Sequence, residues 1–596
     1  MQSKAIVKLL MLIVVTMIIA ACGQDGNDYQ ADSIAELEPP QEIIQEEPSY
    51  EDSQAETATQ GEEHSQVATP QFTLSPPPVI PKPVFIPQGQ IADTVHVITR
   101  QDFVDDTLLV QALQGLTARN AAAIYINAGR SYALWLDIAQ EAIGFETRRV
   151  NNIWDLVDTF QDQITGYILY DLYTVNVAAT LSGLTGAIPV TLRMLPRVHA
   201  LGLEMVMDAR DMTTADLLEQ FGPYLNTQMV LNQQLRATGL RDMGIMHQTL
   251  TTFDVDITNF LGFLSPNALL LGWHEDEVSG VQAASRMQVM TIPTDHAYNL
   301  SFFTSLPRME SHTQLTAIDY GLVAEAHRHY VTFLYSDGDN IQWMTGGAPL
   351  DTERFARTRA DYAQGIGIPF GWSLAPGLPM FTPIIMDYLY ENMAPTDQFV
   401  ASVSGFAYIH PSEYLNTNRL EDLQAFAELT AYFMAWSDMR YMEILDEYAL
   451  VPDIQVLDAF TSQDAIGGIF YKTGSRYVGG RGFLRWSNGK PVVAIRESLW
   501  STDLNRRVLD AYEMAFRISQ YDTNPASING YTVINVHAWS HSMDSIHQMV
   551  NWWQEHAPHV TVVTPSTFMA LIQENVPQED ARPNMNWNDR FDYPEF

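Results

Sequence analysis

The sequence predicts an α/β protein whose C-terminal half is a TIM-like (β/α) barrel, preceded by an N-terminal α/β region. Three observations lead there. The chain has 596 residues, several domains' worth. Strand-like apolar runs alternate with helix-length stretches through its second half, over about the 250 residues such a barrel needs. Residues able to do chemistry gather where those strand-like runs end, which is where barrels carry their working groups. The alternation alone fits an open doubly wound sheet equally well, so the placement of the polar residues decides for the barrel.

Residues 1–22 form the first segment. Lys4 and Lys8 precede an apolar run from Leu9 to Ile19, and Ala20-Ala21 precede Cys22, the only cysteine. That order of parts is a secretion signal, and the run is short for a membrane span. Ile19-Ala20-Ala21-Cys22 resembles the lipobox of bacterial lipoproteins, which implies lipidation at Cys22. The expected location is a cell surface or periplasm, anchored to a bacterial membrane through that lipid. A single cysteine also excludes an intramolecular disulfide and any zinc site built on cysteines.

Residues 23–92 carry thirteen acidic side chains against one basic, Lys82, and end in a proline-rich run. Such a composition buries too little apolar surface to fold and reads as a tether. The whole chain holds 71 acidic and 32 basic residues, a formal charge of −39. A surface so acidic repels phosphate backbones, so nucleic acid is not an expected partner.

Residues 93–315 form the N-terminal α/β region. Strand-like runs fall at 94–98, 122–126, 167–170, 188–192, 205–207 and 269–272, with helical spacing at 103–116 and 132–142. His274-Glu275-Asp276-Glu277 follows the run Leu269–Leu271 and reads as a solvated loop at a strand end. Residues 316–575 form the expected barrel. Its strand-like runs lie at 330–335, 368–372, 399–403, 441–445, 467–471, 491–495, 531–536 and 560–563. Helical stretches lie at 352–364, 383–392, 420–436, 503–519 and 545–556. Residues 576–596 remain as a tail.

The ends of these strands supply the candidate site. The first gives Ser336-Asp337-Gly338-Asp339-Asn340 with Trp343. Later ones give Trp372, Tyr408 with His410, Glu497 with Trp500, and His537-Ala-Trp539-Ser-His541. Aromatic faces stack on sugar C–H surfaces while acids and amides bond hydroxyls, so this mixture suits carbohydrate. Two carboxyl groups, one protonated and one ionised, can cleave a glycosidic bond. Asp337, Asp339 and Glu497 are the candidate catalytic carboxylates. Asn340, Trp343, Trp372, Tyr408, His410, Trp500, His537 and Trp539 are the candidate substrate contacts. The competing reading of the aspartates is a turn, and that of Glu497 is a buried ion pair with Arg496 or another arginine.

Tyr330 to Trp343, with its Ser-Asp-Gly-Asp-Asn core, resembles the barrel-opening segment of the GxGYxYP family of glycoside hydrolases. Gly405-Phe-Ala-Tyr-Ile-His-Pro411 falls where that family's naming motif belongs, with Ala407 for the second glycine and His410 for the second tyrosine. The resemblance covers about residues 93–575. It implies a barrel of the glycoside hydrolase/deacetylase type, an N-terminal region divided into small subdomains, and action on an extracellular glycan. No cofactor is expected for carboxylate-based hydrolysis.

Two rival functions remain. His537 and His541 resemble the histidine motif of metal-dependent polysaccharide deacetylases, which would join them with Asp337 around a divalent metal. A non-catalytic glycan-binding surface lipoprotein has the same layout. The glycine-rich, cationic stretch Lys472–Arg481 reads as a mobile loop or as a lid over an acidic sugar, and it lacks the ending of a phosphate loop.

Overall fold

The computed structural model describes residues 86–578, apart from 254–257, 316–322, 347–351, 418–419, 448 and 450–451. The chain divides into two units, Met1–Thr69 and Pro70–Phe596, and all described residues belong to the second. The expected signal segment, Cys22, most of the tether and most of the tail therefore lie outside the described residues.

Three small parallel sheets come first. Strands β1 (Ile91–Thr99), β2 (Ala122–Asn127) and β3 (Glu146–Val150) pair in the order β2-β1-β3. Strands β4 (Tyr167–Leu169), β5 (Ile188–Val190) and β6 (Met205–Asp208) pair as β5-β4-β6. Strands β7 (Asn226–Asn232), β8 (Thr249–Thr252), β9 (Ala268–Gly272) and β10 (Val289–Pro293) pair as β10-β9-β7-β8. The strands of this third sheet are nearly all buried, as expected of parallel strands covered on both faces. The first sheet's helix Arg130–Ile143 ties to the C-terminal half. There the Tyr132 hydroxyl bonds Thr345 Oγ1 at 3.0 Å and the Trp135 indole donates to Thr345 O at 3.0 Å.

The fourth sheet carries the rest. Its strands are β11 (His329–Tyr335), β12 (Phe370–Leu374), β13 (Asp397–Ala401), β14 (Tyr441–Leu445), β15 (Gly468–Lys472), β16 (Leu484–Ser487), β17 (Lys490–Ala494), β18 (Glu497–Leu499), β19 (Tyr531–Val536) and β20 (Val560–Val562). They run β16-β17-β15-β14-β13-β12-β11-β19-β18, with β20 on β11. Helices Thr352–Ala363, Pro383–Asn392, Leu420–Trp436, Ile454–Thr461, Arg507–Ser519 and Met543–His556 fill the intervals between successive strands.

This sheet is a curled, mixed half-barrel, and the expected TIM-like ring is not reproduced. Strand β16 pairs antiparallel with β17 in a hairpin. Strand β20 would have to enter between β19 and β11 to complete eight strands. Instead β11 pairs with β19 directly over six residues, and β20 joins only the first three residues of β11. The last strand of the path, β18, and the last but one at the other end, β17, are successive pieces of one stretch, Lys490–Leu499. Strand β17 pairs with β15 and β18 with β19. Chain continuity thus brings the sheet's ends round toward each other.

Candidate active site

A cavity of about 360 Å³ is lined by residues from two sheets. From the curled sheet come Ser336, Asp337, Asp339, Asn340, Gln342 and Trp343 after β11, Val403 and Tyr408 after β13, Leu445 and Lys472 at the ends of β14 and β15, Tyr477, and Trp539 after β19. From the third small sheet come Gln234 after β7, Trp273 and Glu277 after β9, and Asp295 and His296 after β10. The carboxyl ends of parallel strands from two sheets therefore face one space. In open α/β sheets such ends are where ligands bind.

The segment after β11 is shaped by two unusual backbones. Asp337 has φ 70°, a left-handed conformation that costs a non-glycine residue energy and is common at working sites. Gly338 lies so close to β12 that a Cβ there would sit 1.5 Å from the Ser373 carbonyl oxygen, and its own carbonyl accepts from the Ala375 amide at 3.0 Å. Only glycine permits that approach. The Ser336 hydroxyl donates to Asp337 Oδ2. The Asn340 amide donates to Asp337 O at 3.3 Å and to Asp339 Oδ1 at 3.4 Å.

The electrostatics of the cavity are acidic. Burial first, then the charges of Asp337 and Glu277, push the Asp339 carboxyl up to about 8, against a smaller opposing pull from Lys472. Glu277 opens onto the pocket and is raised by surrounding protein and by Asp337, while the Tyr408 hydroxyl, which donates to Glu277 Oε1 at 3.1 Å, pulls the other way. Lys472 is the one lysine or arginine among the lining residues. Its Nζ lies 2.9 Å from Glu443 Oε1, and Ser373 Oγ donates to Glu443 Oε2 at 2.7 Å, all three buried. The pocket's cation is thus already neutralised.

Aromatic rings complete the walls. Trp343 meets Trp539 edge-on at 5.3 Å and His296 at 5.4 Å, and Trp273 lies 6.2 Å from Tyr408. Trp539 is 42% exposed, an open indole face beside the acids.

The naming-motif segment has a positional role. Gly405 adopts φ 108°, and a Cβ there would lie 2.5 Å from Thr430 Cγ2. This turn brings Tyr408 against β10, where its amide donates to Thr291 O at 3.0 Å, and the His410 amide donates to Ser285 Oγ at 2.9 Å. The segment fastens the third small sheet to the half-barrel, and Glu277 reaches the pocket through that junction.

Of the sequence-predicted residues, Asp337, Asp339, Asn340, Trp343, Tyr408 and Trp539 line the cavity. Glu497 does not. It is 2% exposed, receives Arg517 Nη2 at 2.6 Å and Nε at 3.2 Å, and accepts from the Tyr521 hydroxyl. This is the ion-pair reading, with Arg517 rather than Arg496. Trp372 is interior, its indole donating to Asp397 Oδ1 at 3.1 Å. His410 is buried with neither ring nitrogen partnered among the described residues, and burial lowers it to about 4. Trp500 and His537 stack on each other at 3.8 Å beside the cavity, and Trp500 touches Tyr477 edge-on at 5.2 Å.

The deacetylase-type ligand set does not assemble. His541 is buried and bonded to Ser545 Oγ at 3.0 Å, and His537 is bonded to Ser540 Oγ at 2.8 Å. Among the described residues no three His, Cys, Asp or Glu side chains are grouped to hold a metal ion. The Lys472–Arg481 stretch is partly built in: Lys472 is fixed to Glu443 and Tyr477 enters the cavity wall.

Sequence reasoning missed Glu277, Asp295, Trp273, Gln234 and His296. The strand-end rule applied to the second half applies equally to β7, β9 and β10. Within the cluster taken as a solvated loop, Glu275, Asp276 and Glu277 are all exposed, and Asp276 caps the helix Glu277–Arg286. His274 is buried on Thr291, and Glu277 faces the cavity.

A chain of three small parallel sheets and a curled mixed one, with acids and aromatics gathered between the last two, has known counterparts. Residues 94–162, 164–225 and 224–305 match the first, second and third GxGYxYP N-terminal domains, and 327–573 match the "GxGYxYP putative glycoside hydrolase C-terminal domain". The chain belongs to the GxGYxYP family, as the segment around Ser336–Asn340 led one to expect. It is also similar to the crystal structure of a "putative hydrolase" from Bacteroides thetaiotaomicron VPI-5482. That match has 26% identity and a TM-score of 0.73, covering 82% of this chain and 96% of that one. No curated protein matches the chain.

Proposed function

We propose that this protein hydrolyses glycosidic bonds in a glycan outside the cytoplasm, held to a membrane by lipid on Cys22. The observation that carries the reaction is a buried carboxyl, Asp339, that keeps its proton near neutral pH in a pocket walled by further carboxylates and open aromatic faces. A protonated carboxylic acid is what the departing glycosidic oxygen needs, and a second carboxylate handles the anomeric carbon or its water. Trp343, Trp539 and Trp273 offer stacking surfaces, and Asn340 and Gln342 offer amides for hydroxyls. We read the half-barrel as an irregular relative of the (β/α) barrel, with its site in the usual place at the strands' carboxyl ends.

The test is digestion of a glycan panel by the purified protein, with reducing ends and acetate both quantified. New reducing ends from at least one glycan are expected. Acetate without chain cleavage would move the reading to deacetylation, and binding without product would leave a glycan-binding protein.

A further inference from the structure

Two carboxyl groups that cleave a glycosidic bond act from two sides of it. Asp337 and Asp339 share one short turn after β11 and belong to the same wall. Glu277 stands at the start of a helix in the third small sheet, on the wall contributed by the other domain. It has the fixings of a working group. Tyr408 donates to one carboxylate oxygen, and Tyr408 is itself held by the Thr291 carbonyl. The helix bearing Glu277 is pinned further along, where the Arg286 Nε lies 2.8 Å from Glu413 Oε2 and the Gln282 amide donates to Glu413 Oε1 at 2.7 Å. Both contacts reach from the third small sheet's helix to the segment that follows the naming motif.

We infer that Glu277 is the catalytic carboxylate opposite Asp339, so that the active site is shared between two domains. The inference rests on the glycosidase reading above. In the step it implies, Asp339 gives its proton to the glycosidic oxygen as the bond from that oxygen to the anomeric carbon breaks. A water oxygen forms the new bond to that carbon, and Glu277 takes the water's proton. The products are two sugar fragments, and the water is consumed. A base that works through water needs room for that water, and the two groups come from separate walls of a cavity of about 360 Å³. Crowding that raises Glu277 also makes it the stronger base. Asp337 is a positioning residue here, its charge helping to keep the proton on Asp339.

The experiment uses the full chain on the glycan that the panel identifies. Glu277→Gln is expected to lower kcat by about 10²–10⁴-fold with KM nearly unchanged. The acidic limb of its pH profile should disappear, and added azide should restore turnover as a glycosyl azide. Tyr408→Phe keeps the ring and removes the donor, so it should shift the acidic limb upward without abolishing activity. Product followed by NMR from the first turnovers should have the inverted anomeric configuration. A Glu277→Gln protein with a wild-type melting temperature and turnover within tenfold of wild type overturns the inference, as does a retained anomer. If Glu277→Gln fails to fold, Glu277→Asp substitutes for it, and full activity there together with retention would overturn the role. A wild-type protein that cleaves no glycan defeats the glycosidase reading itself, a different result from an active enzyme indifferent to Glu277.

Discussion

Asp339 and Glu497 are both almost wholly buried carboxyls of the same curled sheet, 8% and 2% exposed, yet their surroundings are opposite. Asp339 has Asp337 and Glu277 for neighbours and keeps its proton up to about pH 8. Glu497 is clasped by the Nε and Nη2 of one edge of the Arg517 guanidinium and by Tyr521. A fork-to-fork pair of that kind, with the Tyr521 hydroxyl, occupies three of the carboxylate's roughly four acceptor sites and neutralises its charge. Burial of an acid is therefore no indication of function. What distinguishes a site is which charges the fold leaves uncompensated around it.

The comparison can be broken most sharply at Asp339. Asp339→Asn removes the proton donor and is expected to lower kcat by about 10²–10⁴-fold, with a smaller effect on KM. Steady-state kinetics on the identified glycan check this, and activity within threefold of wild type would place the donor elsewhere. In the wild type, turnover should fall as pH rises through about 8, because Asp339 then loses the proton it must give.

The same group sets a stability signature that runs in the same direction. Unfolded, the Asp339 side chain ionises near 3.8, and folded, near 8. Between those values the native state retains a proton that the unfolded state has lost, so the group's contribution to stability declines as pH rises across that window. Asp339→Asn lacks the decline. Its thermal midpoint should match that of the wild type near pH 4 and exceed it increasingly toward pH 8. A constant difference across that range would mean that Asp339 titrates normally.

Much of this arrangement is legible in the sequence because local chemistry dictates it. Tyr330 to Tyr335 reads as a strand by its apolar run, and Asp-Gly-Asp after it has both turn chemistry and carboxylates. Helices at Pro383–Asn392 and Leu420–Trp436 start and stop where their spacing says. What is not legible is compensation by residues distant in the chain. Nothing near Glu497 announces that Arg517 folds back onto it, while the adjacent Arg496 turns its guanidinium to the backbone and to the Tyr521 ring at 3.9 Å. Trp372 ends the strand-like run read from the sequence but lies in the middle of β12, buried, where Asp397 takes its N–H. Glu277 has the converse difficulty. Charged and helix-capping neighbours give it the look of a surface loop, and only docking through Tyr408, 131 residues later, makes it part of a pocket. The ring closure also escapes periodicity, because the alternation of strands and helices does not say where the last strand inserts.

The mildest perturbation completes the contrast. Glu497→Gln should leave kcat and KM within about twofold of wild type, since Glu497 lines no part of the cavity. It should nonetheless destabilise the fold, because Arg517 and Tyr521 lose the acceptor that organises them. Removing one partner of a fully enclosed ion pair costs about 3–5 kcal/mol. The Arg517 side chain is 43% exposed, so water recovers part of that loss and about 1–2 kcal/mol is the expected penalty. Denaturant unfolding of the two proteins measures it. The reverse outcome, a stable variant with collapsed turnover, would return Glu497 to the chemistry and remove the distinction between a carboxyl that is paired and one that is poised.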